Sequence, residues 1–143
     1  MREVAKFSEC FVCGENNQCG LKARFFVHDD GSVESSYIAE ERFVGYADIL
    51  HGGILASLLD EVMIKAVLKD MKLAVTASME VKFKHPVMVG QKINLVGRVI
   101  NRKHRIFKTE GTAEVDGKIV ASATGVYIEA KGDLATKLAE SLQ

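Results

Sequence analysis

His51-Gly52-Gly53 stands immediately before a run of helical spacing, and two acids, Asp60 and Glu61, lie inside that run. Glycines let a ligand come close to the backbone, and a helix start presents unpaired N–H groups with a partial positive charge. Negative charge that builds up during a reaction could be stabilised there. The two acids have different neighbours. Glu61 has Lys65 four residues on, the favourable acid-to-base order for a pair on a solvent-facing helix surface. Asp60 lies among Ala56, Ser57, Met63 and Ile64 at the edge of the apolar arc, where desolvation disfavours a charged carboxylate unless something compensates. Aspartate is also a poor helix former, so its place calls for a reason: chemistry, or a bond to backbone or to another subunit.

Two further groups of residues carry possible chemistry. Cys10, Cys13 and Cys19 are an odd number clustered near the start, which suits no disulfide framework. The Cys-x-x-Cys spacing resembles half of a zinc site, but no second Cys-x-x-Cys or His-x-x-x-His pair completes it. The expectation is reduced, partly buried thiols and no required metal. Arg102-Lys103-His104-Arg105 is the densest basic cluster; it could meet phosphates at a strand turn or be a solvated hairpin tip.

The elements that position these residues follow from periodicity. Val75 to His85 alternates, with Val75, Ala77, Met79, Val81 and Phe83 on one side, which predicts a strand with one buried face ended by Pro86. Phe107 to Val115 alternates likewise, and Asp116-Gly117 turns it into Ile119 to Ile128 as a hairpin. Leu21 to His28 and Ser32 to Ala39, divided by Asp30-Gly31, read as another hairpin, and Gln91 to Arg102 makes about six strands. After Gly53, the apolar residues Ile54, Leu55, Leu58, Leu59, Val62, Met63, Ala66 and Val67 cover about 220° of a helix, wide enough to be wrapped by a sheet. Asp133 is expected to cap a short terminal helix carrying Leu134, Leu138 and Leu142. The class is α+β with an antiparallel sheet around one long central helix.

The 143 residues fit a single domain, 1–143, and 48% apolar with 27% charged residues is a globular composition. Lys plus Arg equals Asp plus Glu at 19 each, so nothing draws the chain generally to nucleic acid or a membrane surface. Its longest stretch without Lys, Arg, Asp or Glu, Ile49 to Leu59, is far short of the roughly 20 residues of a membrane span. Without an apolar signal segment at Met1 to Lys6, a cytoplasmic location is expected.

The run His51-Gly52-Gly53-Ile54-Leu55-Ala56-Ser57-Leu58-Leu59-Asp60-Glu61 resembles the helix of hotdog-fold acyl-CoA thioesterases of the phenylacetate-degradation type. The order of strands around the helix and the Pro86-Val87-Met88-Val89-Gly90 connection agree with it. Cys10-Phe11-Val12-Cys13-Gly14, with Asn17 and Gly20-Leu21, is similar to the N-terminal signature of one subgroup. The resemblance spans about Cys10 to Glu129. It implies a homodimer, or a dimer of dimers, with active sites between subunits and no cofactor. In such enzymes a helix-start N–H polarises the thioester carbonyl, which falls on Gly52, with Gly53 as the adjacent candidate. The partner's acid, Asp60, attacks or activates water, Thr76 helps orient that water, and His51 braces the loop. Several members carry an asparagine upstream of the HGG, where this chain has Gly45-Tyr46-Ala47-Asp48.

The implied function is hydrolysis of acyl-CoA to free acid and CoA, with Arg102, Lys103 and Arg105 as candidates for the CoA phosphates. A non-catalytic acyl-CoA-binding or regulatory module on the same scaffold is the alternative. A dehydratase stands third, because His51 precedes the helix and no second histidine joins the acid on it.

Overall fold

The computed structural model describes residues 1–142. Seven strands, β1 (Arg2–Glu3), β2 (Phe26–Val27), β3 (Val33–Ile38), β4 (Ala74–Phe83), β5 (Lys92–Lys103), β6 (Ile106–Val115) and β7 (Lys118–Glu129), form one antiparallel sheet in the order β1-β2-β3-β5-β6-β7-β4. A long helix, α1 (Gly52–Leu68), lies across it, and a short one, α2 (Gly132–Glu140), follows β7. None of the helices among the described residues is long and apolar enough to cross a membrane.

The wide apolar arc of α1 is what the sheet encloses: Leu55, Leu58, Leu59, Val62, Met63, Ala66 and Val67 are all buried. Each large side chain buried in this interface contributes about 1.5 to 3 kcal/mol to the fold. Two small residues let the helix come close. A Cβ built on Gly97 would strike the Val62 carbonyl, and one on Gly111, paired with Gly97 across β5 and β6, would fall 3.0 Å from Met63 Cγ. The β6–β7 turn takes positive φ at both Asp116 (51°) and Gly117 (79°), as a tight two-residue hairpin requires.

Several expectations need correction. Leu21 to His28 is not one strand: only Phe26–Val27 joins the sheet, because the Leu21 and Ala23 amides bond instead to the carbonyls of Phe11 and Val12. Strand β1 was not expected, and it raises the strands from six to seven. Asp133 does not cap α2; Lys131 holds the cap position and Asp133 lies in the first turn.

Strand β4 departs most from its reading. It lies at the free edge of the sheet, and Val75, Met79 and Phe83 are exposed rather than buried. The alternation is also broken by a bulge between Thr76 and Ser78. Residues directly opposite in a ladder share a face. Thr76 is opposite the fully buried Tyr127, and Val81 and Phe83 are opposite Ala123 and Ala121, so all three face the helix, whereas Val75 faces away. Strict alternation would have put Thr76 on the outer face.

Candidate active site

The bulge brings Thr76 to Asp60. Its hydroxyl donates to Asp60 Oδ1 at 3.1 Å, and the Tyr127 hydroxyl donates to the same oxygen at 2.6 Å while lying 3.1 Å from the Asp60 carbonyl. Asp60 is half-buried. Its carboxylate is therefore pinned through Oδ1, and no hydrogen bond reaches Oδ2 from the described residues. Burial, with the Asp60 carboxylate beside it, pushes the Tyr127 phenol far above its ordinary pKa, so it stays a donor. Tyr127 escaped the sequence reading. Its signal was a tyrosine on the inward face of a Val- and Ala-rich strand, since a buried hydroxyl needs a partner.

At the mouth of α1, His51 is the N-cap, and its Nδ1 accepts the Gly53 N–H at 2.8 Å. That commits Gly53 and leaves Gly52 as the glycine whose N–H meets no acceptor among the described residues. The imidazole packs on Gly45, where an added Cβ would lie 3.2 Å from its Cδ2. Position 45 thus gives the ring room and supplies no polar side chain. A cleft of about 790 Å³ opens here, lined by Tyr46, His51, Gly52, Leu55, Phe83 and Pro86 among others.

One chain does not unite these parts. At about 1.5 Å rise per residue, Gly52 and Asp60 are about 12 Å apart along α1, too far to act on one carbonyl group. The basic turn is also remote from the Gly52 mouth. Arg102 to Arg105 lies at the end of the sheet where β4 begins, since Ile106 is opposite Ile128 and Ile128 opposite Val75. Gly52 lies at the other end, beside Phe83. The Arg102 guanidinium contacts the His104 carbonyl at 3.1 Å and Glu129 at 3.5 Å, and Arg105 donates to the Glu129 carbonyl at 3.1 Å.

Glu61 is not on the solvent side. Both it and Lys65 are buried, Lys65 completely, because residues 1–25 cover this flank of α1. The Lys65 ammonium donates to the Ala5 carbonyl, faces the rings of Phe7 and Phe25, and lies 3.6 Å from Glu61 Oε2. Burial pushes the Glu61 carboxyl up to about 7 against the opposing pull of Lys65. Cys10 and Cys13 meet the same carboxylate. The Cys13 thiol, donating to the Cys10 sulfur and aided by backbone N–H groups, holds Cys10 down at about 5.

The family model described as the thioesterase superfamily matches residues 47–121, just over half of the chain. A thioesterase superfamily protein of solved structure superposes with a TM-score of 0.80 at 24% identity, over 85% of this chain and 61% of that one. A solved structure of a phenylacetic acid degradation-related protein of Ralstonia eutropha JMP134 gives 0.68 at 28% identity, over 76% and 85%. A hypothetical thioesterase of Streptococcus pneumoniae TIGR4, solved with coenzyme A, gives 0.70 at 17% identity, over 76% and 88%, a likeness of fold. Among curated proteins, a 3-hydroxyacyl-[acyl-carrier-protein] dehydratase of Nitratidesulfovibrio vulgaris is 44% identical over 43 residues, 30% of this chain and 28% of its own length. The match to the curated relative thus spans little over a quarter of that protein. With the helix and sheet of the hotdog fold around the matched segment, the chain belongs to the thioesterase superfamily.

Proposed function

We propose that the protein hydrolyses acyl-CoA thioesters to free acid and CoA at a site shared by two copies of the chain. The observation that carries this reading is the Asp60 carboxylate, pinned at Oδ1 and open at Oδ2, on a family scaffold whose helix start offers an unpaired Gly52 N–H. The 12 Å or so between them calls for the second copy. Strand β4 is a ten-residue free edge with exposed Met79 and Phe83. Antiparallel pairing of that edge with its own copy would set the partner's Thr76 and Asp60 beside this chain's Phe83, next to Gly52. It would also carry the partner's Arg102, Lys103 and Arg105 to the end of the sheet at which this chain's cleft opens, as candidates for the CoA phosphates.

In this reading the Gly52 N–H polarises the thioester carbonyl, and the partner's Asp60 Oδ2 takes a proton from water as the water oxygen bonds to the carbonyl carbon. The C–S bond then breaks, and the CoA sulfur leaves with the proton held by Asp60. One preorganised donor to such an oxyanion contributes about 3 to 4 kcal/mol of transition-state stabilisation. Direct attack by Asp60 is the covalent variant, which expels the CoA thiolate to leave an aspartyl–acyl anhydride; labelled water that opens this anhydride at the aspartyl carbon marks the enzyme's carboxylate, which general-base catalysis never does.

The test is an acyl-CoA panel with a thiol reporter. Release of CoA by the native protein, falling about 100-fold or more in Asp60→Asn with substrate still bound, supports hydrolysis. Binding of acyl-CoA with no release by either protein would instead make this a binding module. The short dehydratase likeness favours a second reading, which predicts formation of an enoyl thioester from a 3-hydroxyacyl thioester with no free thiol.

A further inference from the structure

We propose that Cys10, Cys13 and Glu61 form a zinc site that staples the N-terminal segment to α1. Their three donor atoms lie within 4.8 Å of one another, with Cys13 and Glu61 buried. Cys10 Sγ is 3.6 Å from Glu61 Oε2. Zinc bonds of about 2.3 Å to sulfur and 2.0 to 2.2 Å to oxygen, at a tetrahedral angle, separate two such ligands by about 3.5 Å, so this pair needs almost no movement. A sulfur and a carboxylate oxygen this close need a cation between them, either a proton or a metal ion.

The surroundings suit the metal. The Val12 and Cys13 amides point at Cys10 Sγ at 3.3 and 3.4 Å, donors that would steady the charge of a ligating thiolate. Gly14 makes this tight turn possible, because a Cβ there would fall 2.5 Å from both Cys10 N and Ser8 O. Two thiolates and a carboxylate carry three negative charges, which one dication and the buried Lys65 ammonium balance. Lys65 also holds the Ala5 carbonyl, so the charge balance and the anchoring of the segment share one residue. The Cys-x-x-Cys alone was a half-site; folding adds the third donor from the middle of α1. Water completes the tetrahedron. Binding expels the thiol protons to solvent, and thiolate ligands select zinc over magnesium or calcium.

The test uses the full chain, reduced and stripped of metal, titrated with Co²⁺. The expected result is one Co²⁺ per chain, with the near-ultraviolet thiolate-to-cobalt charge-transfer band and the visible bands of a tetrahedral ion, both displaced by Zn²⁺. Cys10→Ser and Cys13→Ser should each abolish the charge-transfer band or strongly reduce it, and Cys19→Ser, which alters an exposed thiol outside the cluster, should retain it. Because Glu61→Gln also disturbs Lys65, the two serine variants carry the test, with circular dichroism to verify their folding. No thiolate band in the native protein, a band indifferent to Cys10→Ser and Cys13→Ser, or uptake of Zn²⁺ without any rise in Tm would overturn the proposal.

Discussion

Asp60 Oδ1 accepts two hydroxyls, and the shorter bond, 2.6 Å from Tyr127, comes from a side chain with no exposed surface. Tyr127→Phe keeps the ring and removes only that donor. A hydrogen bond to a charged group contributes about 1.5 to 3 kcal/mol, so kcat for thioester cleavage should fall roughly 10- to 100-fold with KM near the native value. An unchanged kcat in steady-state assays would mean that Tyr127 serves packing alone. Glu61→Gln, by contrast, is a stability variant. It removes the carboxyl 3.6 Å from the buried Lys65 ammonium, but burial already holds that carboxyl up at about 7, so the neutral amide should cost less than the about 3 to 5 kcal/mol of breaking a fully charged buried pair, read as the shift in urea midpoint. The sequence singled out His51, Gly52 and Asp60 as candidates because they lie on one continuous run. The helix phase misplaced Glu61, because it cannot know that Ala5, Phe7 and Phe25 return to cover the flank where Lys65 points.

Among the elements, β5, β6, β7 and α1 were legible because each carries its period over ten residues or more and the hairpin turns have their own residue chemistry. Strand β2 was not, since its two residues are too few for a period and the apolar run before it serves the N-terminal segment. A bulge leaves no mark in a polar-apolar pattern, so Thr76 read as outward although its hydroxyl meets Asp60. The glycine contact between sheet and helix is equally silent in the sequence and should be costly to change. Gly97→Ala drives a methyl group into the Val62 carbonyl, backbone against backbone in effect, and overpacking of this kind costs about 1 to 3 kcal/mol or more. Gly90→Ala is the control at a glycine with open space around it, although its φ of 89° adds strain of its own. Denaturation showing Gly97→Ala as stable as the native chain would mean that α1 does not lie so close to β5.

For the whole molecule, the proposed shared site would use both the free β4 edge and the separation of Gly52 from Asp60 by bringing in a second copy of the chain. Light scattering should then give at least twice the 15.7 kDa mass of one chain. Intersubunit complementation tests the site itself. Gly52→Pro deletes the N–H at the first helical position, where proline is well tolerated, and the preceding His51 already has the extended ψ of 133° that a following proline favours. Alone it should lower kcat about 100- to 1000-fold, the effect of losing one oxyanion donor. Asp60→Asn alone should be similarly impaired. If the site takes its N–H from one copy and its acid from the other, a mixed dimer of these two variants contains one site with both native groups. Unfolding an equal mixture and refolding it together should therefore restore about one quarter of native activity, since half the dimers are mixed and each holds one intact site. If both groups came from the same chain, every site in the mixture would carry one lesion, and activity would stay at the level of the separate variants.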